Sequence, residues 1–138
     1  MKRFALPALL LFIATPCIAA SEISLLDSSG ERIAYLDGGT IYLWSGRPVA
    51  YLVSGNNGDD VYGFNGKHLG WFMRGRIWNH GGHMSCTIKD ADPSRLNPLK
   101  GLKGVTPAKA AREVVPTKPV FADIFDDGTC RNLLSEGS

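Results

Sequence analysis

LLDSSGERIAYL (25–36), IYLWSGRPVAYL (41–52), VYGFNGKHLGWF (61–72) and IWNHGGHMSCTI (77–88) lie over one another without a gap. Their starts are 16, 20 and 16 residues apart. The sixth place is Gly30, Gly46, Gly66 and Gly82, and the tenth is always small: Ala34, Ala50, Gly70 and Cys86. Each segment places a turn pair (Ser29-Gly30, Ser45-Gly46, Asn65-Gly66, Gly81-Gly82) between runs rich in Val, Ile, Tyr, Phe and Trp. Such pairs suit two-residue hairpin turns, and the flanking runs have strand character. The links, such as Asp37-Gly38-Gly39-Thr40, also read as turns. The expectation is a mainly β fold: a shallow, pseudo-fourfold meander of eight short antiparallel strands, closed into a barrel to remove its edges.

Pairing across a two-residue turn puts opposed side chains on one side of the sheet. One face then carries Tyr42, Trp44, Arg47, Val49 and Tyr51, with Tyr62, Phe64, Lys67, Leu69 and Trp71 beside them. Trp78, His80 and His83 extend the same face in the fourth segment. The opposite face carries Ile41, Leu43, Pro48, Ala50 and Leu52, next to Val61, His68, Gly70 and Phe72. One face lines the interior, and the other needs cover from residues beyond the repeats.

The whole chain of 138 residues has 15 Lys plus Arg against 13 Asp plus Glu. That balance argues against a nucleic-acid binder, and 44% hydrophobic content argues against a disordered chain. Residues 1–20, MKRFALPALLLFIATPCIAA, have the form of a secretory signal: Lys2 and Arg3, then an apolar run, then small residues. Cleavage after Ala20 would remove Lys2 and Arg3, leaving 13 cations against 13 anions and two cysteines, Cys86 and Cys130. An even pair in an exported chain reads as one disulfide. No transmembrane span is expected after cleavage, and the location is periplasmic or secreted.

The pattern Y-x-[FW]-x-G-[KR]-x-[LV]-[AG]-[YW]-[FL] is carried by Tyr42, Gly46, Tyr51, Tyr62, Gly66 and Trp71, with Gly82 in the fourth segment. Together with a Pro/Lys tail and Lys118-Pro119-Val120-Phe121, it resembles the 4-fold beta flower domain family over roughly residues 23–125. His80, His83 and Thr87 depart from that pattern. The resemblance implies a shallow barrel with its aromatic side chains directed inward, and it implies no particular reaction.

Beyond a β domain at 21–90, residues 91–138 form the tail. Thr106 as a cap, Pro107 at the first helical position and Pro116 as a stop predict a short helix over about 106–115, packed back on the barrel. His80 and His83 form a weak metal candidate, since alternation places Cys86 on the other face and two ligands do not close a site. No nucleophile is paired with a patterned base, and no cofactor is called for. The expected function is that of an exported, non-catalytic binding or interaction module. Tyr42, Trp44, Tyr51, Tyr62, Phe64, Trp71 and Trp78 would line a cup rimmed by Arg47 and Lys67, holding an envelope ligand or protein. The alternatives are a structural domain with a filled barrel and, behind it, a metal enzyme using His80 and His83. Oligomeric state is not legible in the sequence.

Overall fold

A computed structural model describes residues 11, 13–14, 22–88, 99–126 and 129–138. The export signal expected at 1–20 lies almost wholly outside the described residues. The strands are β1 (Ile23–Leu26), β2 (Arg32–Asp37), β3 (Thr40–Leu43), β4 (Pro48–Gly55), β5 (Gly58–Gly63), β6 (His68–Met73), β7 (Arg76–Trp78) and β8 (Met84–Thr87). Each pairs antiparallel with the next, and Leu26 opposite Thr87 closes the barrel between β1 and β8. One short helix follows, α1 (Thr129–Ser135). No helix among the described residues is long and apolar enough to cross a membrane.

The turns inside the four repeats differ from the two-residue form expected. The Gly46 amide donates to the Leu43 carbonyl at 2.8 Å, and the Leu43 amide donates to the Arg47 carbonyl at 2.8 Å. Asp27 and Gly30, Gly63 and Gly66, and Asn79 and Gly82 close in the same way. These are three-residue turns in which the glycine alone is left-handed, at φ +80 to +92°. Ser45 and Asn65 keep negative φ, so the preceding pair makes an ordinary turn and the glycine completes the reversal. The mirror-image two-residue turns sit between repeats, at Gly38-Gly39 and Arg74-Gly75.

A second irregularity exchanges the faces of the eighth and ninth places in each hairpin. In every hairpin the first place pairs with the tenth and the second with the eighth, leaving the ninth as the extra residue of a β-bulge. The bulge residues are Ile33, Val49, Leu69 and Ser85. Two residues now oppose one, and the strand's alternation is reset. Val49 and Leu69 therefore join the aliphatic core, whereas Pro48 and His68 pair with Tyr42 and Tyr62 on the aromatic side. Both pairs reverse the faces expected from simple alternation.

The aliphatic face points inward. Leu25, Ala34, Ile41, Ala50, Val61, Ile77 and Cys86 form one buried cluster that also takes in Cys130 and Leu134 of α1. The expectation of inward aromatic rings is thereby overturned, for a reason of volume. An eight-stranded barrel encloses only enough space for its own side chains. Here that space holds branched aliphatics, small residues at the tenth places, and Cys130 and Leu134 of α1, which contacts β2, β4 and β8. Six large rings would not fit with them. The disulfide joins Cys86 to Cys130, with Cα atoms 5.0 Å apart, and both are buried, so it fastens α1 to the barrel core.

The bridge spans 44 residues, and loop entropy puts its constraint at about 4 kcal/mol. Reduction should lower the melting temperature and release amide protection in α1 before the barrel strands. Unchanged protection over 129–135 in reduced protein would show that packing of Leu134 alone holds the helix.

Candidate functional site: the strapped aromatic wall

With the aliphatic face inside, the rings stand on the outer wall, and they stand in pairs. Tyr35 opposes Tyr42, Tyr51 opposes Tyr62 and Trp71 opposes Trp78 across successive strand junctions. The first two pairs have ring centroids 5.3 and 6.2 Å apart, separations at which cross-strand rings attract. The fourth junction carries Leu26 opposite Thr87 instead. All six rings are at most 7% exposed, because residues 99–126 run across them as a strap.

The strap docks by a pattern that repeats every nine residues. Gly101 and Ala110 donate their amides to the carbonyls of Trp44 and Phe64. Gly104, Glu113 and Ala122 donate to those of Gly46, Gly66 and Gly82, each at 2.8–2.9 Å. Lys100 and Lys103 lie over the first ring pair, with Lys100 Nζ 3.8 Å from the Tyr35 centroid. Lys109 sits 4.3 Å above Tyr51, and the Arg112 guanidinium 5.5 Å above Tyr62. Over the tryptophans Phe121 stands where the strap's cation would, 5.6 Å from Trp71 and 5.2 Å from Trp78, and the cations over Trp78 are Arg74 and Arg76 of the barrel, at 5.7 and 5.9 Å. A cation over a ring face and a ring against a ring face both exploit the aromatic quadrupole.

This nine-residue pattern is visible in the sequence as PLKGLKGVT (98–106), PAKAAREVV (107–115) and PTKPVFADI (116–124). It was the signal for the strap, and reading 106–115 as a helix passes over it. No helix forms there, because the amides of Ala110 and Glu113 are bound to Phe64 and Gly66. Tertiary hydrogen bonds outweigh the modest helix preference of an Ala-rich run.

The strap removes the expected cup. Tyr42, Tyr51, Tyr62, Phe64, Trp71 and Trp78 are buried beneath it or against each other, and Trp44 is half-buried. Arg47 and Lys67 are exposed, at the hairpin tips. Burial raises the Tyr35 and Tyr62 hydroxyls above the usual phenol range, and the Tyr62 hydroxyl donates to the Glu113 carbonyl at 2.8 Å.

His80 turns to His68 rather than to form a metal pair. His80 Nε2 lies 2.9 Å from His68 Nδ1, and His68 Nε2 lies 2.9 Å from Asp60 Oδ1. The carboxylate sets the His68 tautomer, leaving Nδ1 as the acceptor for His80. Glu113 Oε2 accepts the His68 backbone amide at 3.0 Å, tying the strap to this chain. His83 is half-buried, its amide bound by Asn79 Oδ1. Among the described residues no three His, Cys, Asp or Glu side chains converge as a metal site would require. Sequence reasoning missed the Asp60–His68–His80 chain because simple alternation put His68 on the wrong side.

The sequence profile of the 4-fold beta flower protein family matches residues 23–134. The chain belongs to that family. No curated protein and no solved structure shows a significant match to it. For a 4-fold beta flower protein the fourfold character is plain in the hairpins, and the three ring pairs with three strap repeats show where it is broken.

Two measurements test this site. Gly30 and Gly66 share a left-handed backbone, but a Cβ at Gly30 meets nothing within 4 Å, whereas one at Gly66 would lie 2.0 Å from the Ala111 carbonyl oxygen. Gly30→Ala should cost about 1–2 kcal/mol from backbone strain alone, and Gly66→Ala clearly more because the strap must lift. Equal losses would mean that the strap adds no stability there. The second concerns His80, whose pKa is lowered by partial burial and by His68, against weaker upward pulls from Glu113 and Glu136. Folding then favours the neutral ring, so its contribution is complete above the unfolded value of about 6.5 and declines as pH falls through it. His80→Gln should flatten the fall of melting temperature on acidification below pH 7. An unchanged or steeper slope would count against the shift.

Proposed function

We propose that this 4-fold beta flower protein is an exported, non-catalytic interaction module whose contact surface is the outer side of the strap. The export part rests on the form of residues 1–20. The surface rests on one observation. Leu99, Leu102, Val105, Val114 and Val120 are between 91% and 97% exposed. The strap's cations turn toward the barrel while its aliphatic side chains turn to solvent, the reverse of an ordinary surface segment. An exposed apolar row of this kind marks an interaction site.

The partner that fits is a protein presenting an apolar surface. A bilayer fits less well, because anionic lipid attracts through free cations. Lys100 and Lys103 are already engaged by rings and by Glu22 and Asp37, and the chain without residues 1–20 has equal numbers of cations and anions.

A photo-crosslinking residue at Val114 in the full chain should give one defined adduct with an envelope protein. Leu102→Ser combined with Val105→Ser and Val120→Ser should abolish that adduct without lowering the melting temperature. An adduct that survives the triple substitution, or flotation of the protein with anionic vesicles, would overturn this assignment.

A further inference from the structure

Asp60 is the least expected residue on the outer wall. It precedes the first place of the third repeat, where the other repeats have Ser24, Thr40 and Arg76. It is only 8% exposed. In a pseudo-symmetric fold, a local rule broken at one position points to function there.

Its two oxygens differ. Oδ1 accepts from His68 Nε2, and His68 is braced in turn by His80. Oδ2 has no hydrogen-bond partner among the described residues. It faces the position where a Cβ on Gly55 would stand, 2.7 Å away, so the missing side chain of Gly55 keeps it open. Directly across the ladder from Asp60 is Trp71, whose buried Nε1–H has no partner among the described residues. A carboxylate oxygen held on a largely buried side chain at the edge of this opening is placed to accept from a bound donor.

Asp60 also lines a cleft of about 690 Å³ between the β4–β5 turn and the strap, with Ser54, Asn56, Asn57, Pro116 and Lys118 around it. We infer that this cleft binds a neutral, polyhydroxylated ligand of the saccharide class, with Asp60 Oδ2 accepting a ligand hydroxyl. The chemistry of the lining selects that class. A carboxylate needs a donor, which a hydroxyl or an ammonium supplies, but the Lys118 ammonium in the same cleft repels a second cation. Asn56, Asn57 and Ser54 both donate and accept, matching hydroxyls, which do the same. Pro116 offers an apolar wall for the C–H face of a sugar ring. The His68–His80 chain acts through Asp60, holding the carboxylate in place.

The test is a titration of the full chain, followed by amide chemical shifts, with three probes: maltotriose, tri-N-acetylglucosamine and putrescine. Saturable shifts centred on residues 54–60 with either saccharide, and none with putrescine, are expected. Asp60→Asn should weaken that binding about tenfold or more, the usual scale for a hydrogen bond to a charged acceptor. Gly55→Ala keeps the charge but places a methyl group against Oδ2, and should weaken binding comparably. It reads the same contact should Asp60→Asn fail to fold. No shifts with either saccharide, shifts with putrescine, or binding indifferent to Gly55→Ala would overturn the inference.

Discussion

Cations and one phenylalanine laid over paired rings hold this molecule in its final shape. Without the strap, six aromatic side chains would face water on the outside of a small barrel. Without the rings, a segment carrying Pro107, Pro116 and Pro119 would have little reason to leave solvent. Each strap repeat contributes two kinds of contact at once: backbone amides to the carbonyls of the hairpin tips, and side chains to the ring faces. The close approach needs glycine at the tips, since a Cβ at Gly46, Gly66 or Gly82 would meet a strap carbonyl at 1.8–2.2 Å. The glycine that completes each turn is thus also the seat for the strap.

The match between three ring pairs and three strap repeats explains how a fourfold barrel becomes asymmetric. At the fourth junction Leu26 and Thr87 replace the rings, and a Cβ on Gly30 would touch nothing. The inside follows a different logic. Aliphatic residues at the first, ninth and tenth places pack around α1, and Cys86 is the one tenth-place residue used to fasten it. Inner and outer layers are therefore both closed by the segment after β8, the inner by α1 and the outer by the strap. Among the features left open are a row of aliphatic side chains on the strap and a polar cleft beside Asp60, and both functional proposals come from these two.

The four hairpins, their glycines, the closed meander and the Cys86–Cys130 pairing were legible in the chain, because turn chemistry and strand composition are local properties. The period-nine strap was legible too, but only to a search for short repeats in the tail. Reading a helix at 106–115 followed local propensity alone, and the amides of Ala110 and Glu113 were claimed by barrel carbonyls instead.

Which face is inside was a different matter. Both faces are apolar, so hydrophobic pattern alone could not rank them, and alternation counted through the ninth place gives the wrong side for Val49, Leu69, Pro48 and His68. A bulge costs one residue of register and leaves no clear mark in composition. The volume inside eight short strands, shared with α1, decided that the rings lie outside, and only then could the strap reach them. The chain by itself determined the repeating hairpin, which depends on neighbouring residues, and with residues 1–20 read as a signal it left Cys86 and Cys130 as the pair to join. The placement of the rings, the burial of Asp60 and the exposure of the strap's aliphatic row depend on how a limited interior is filled, and only the tertiary structure settles that.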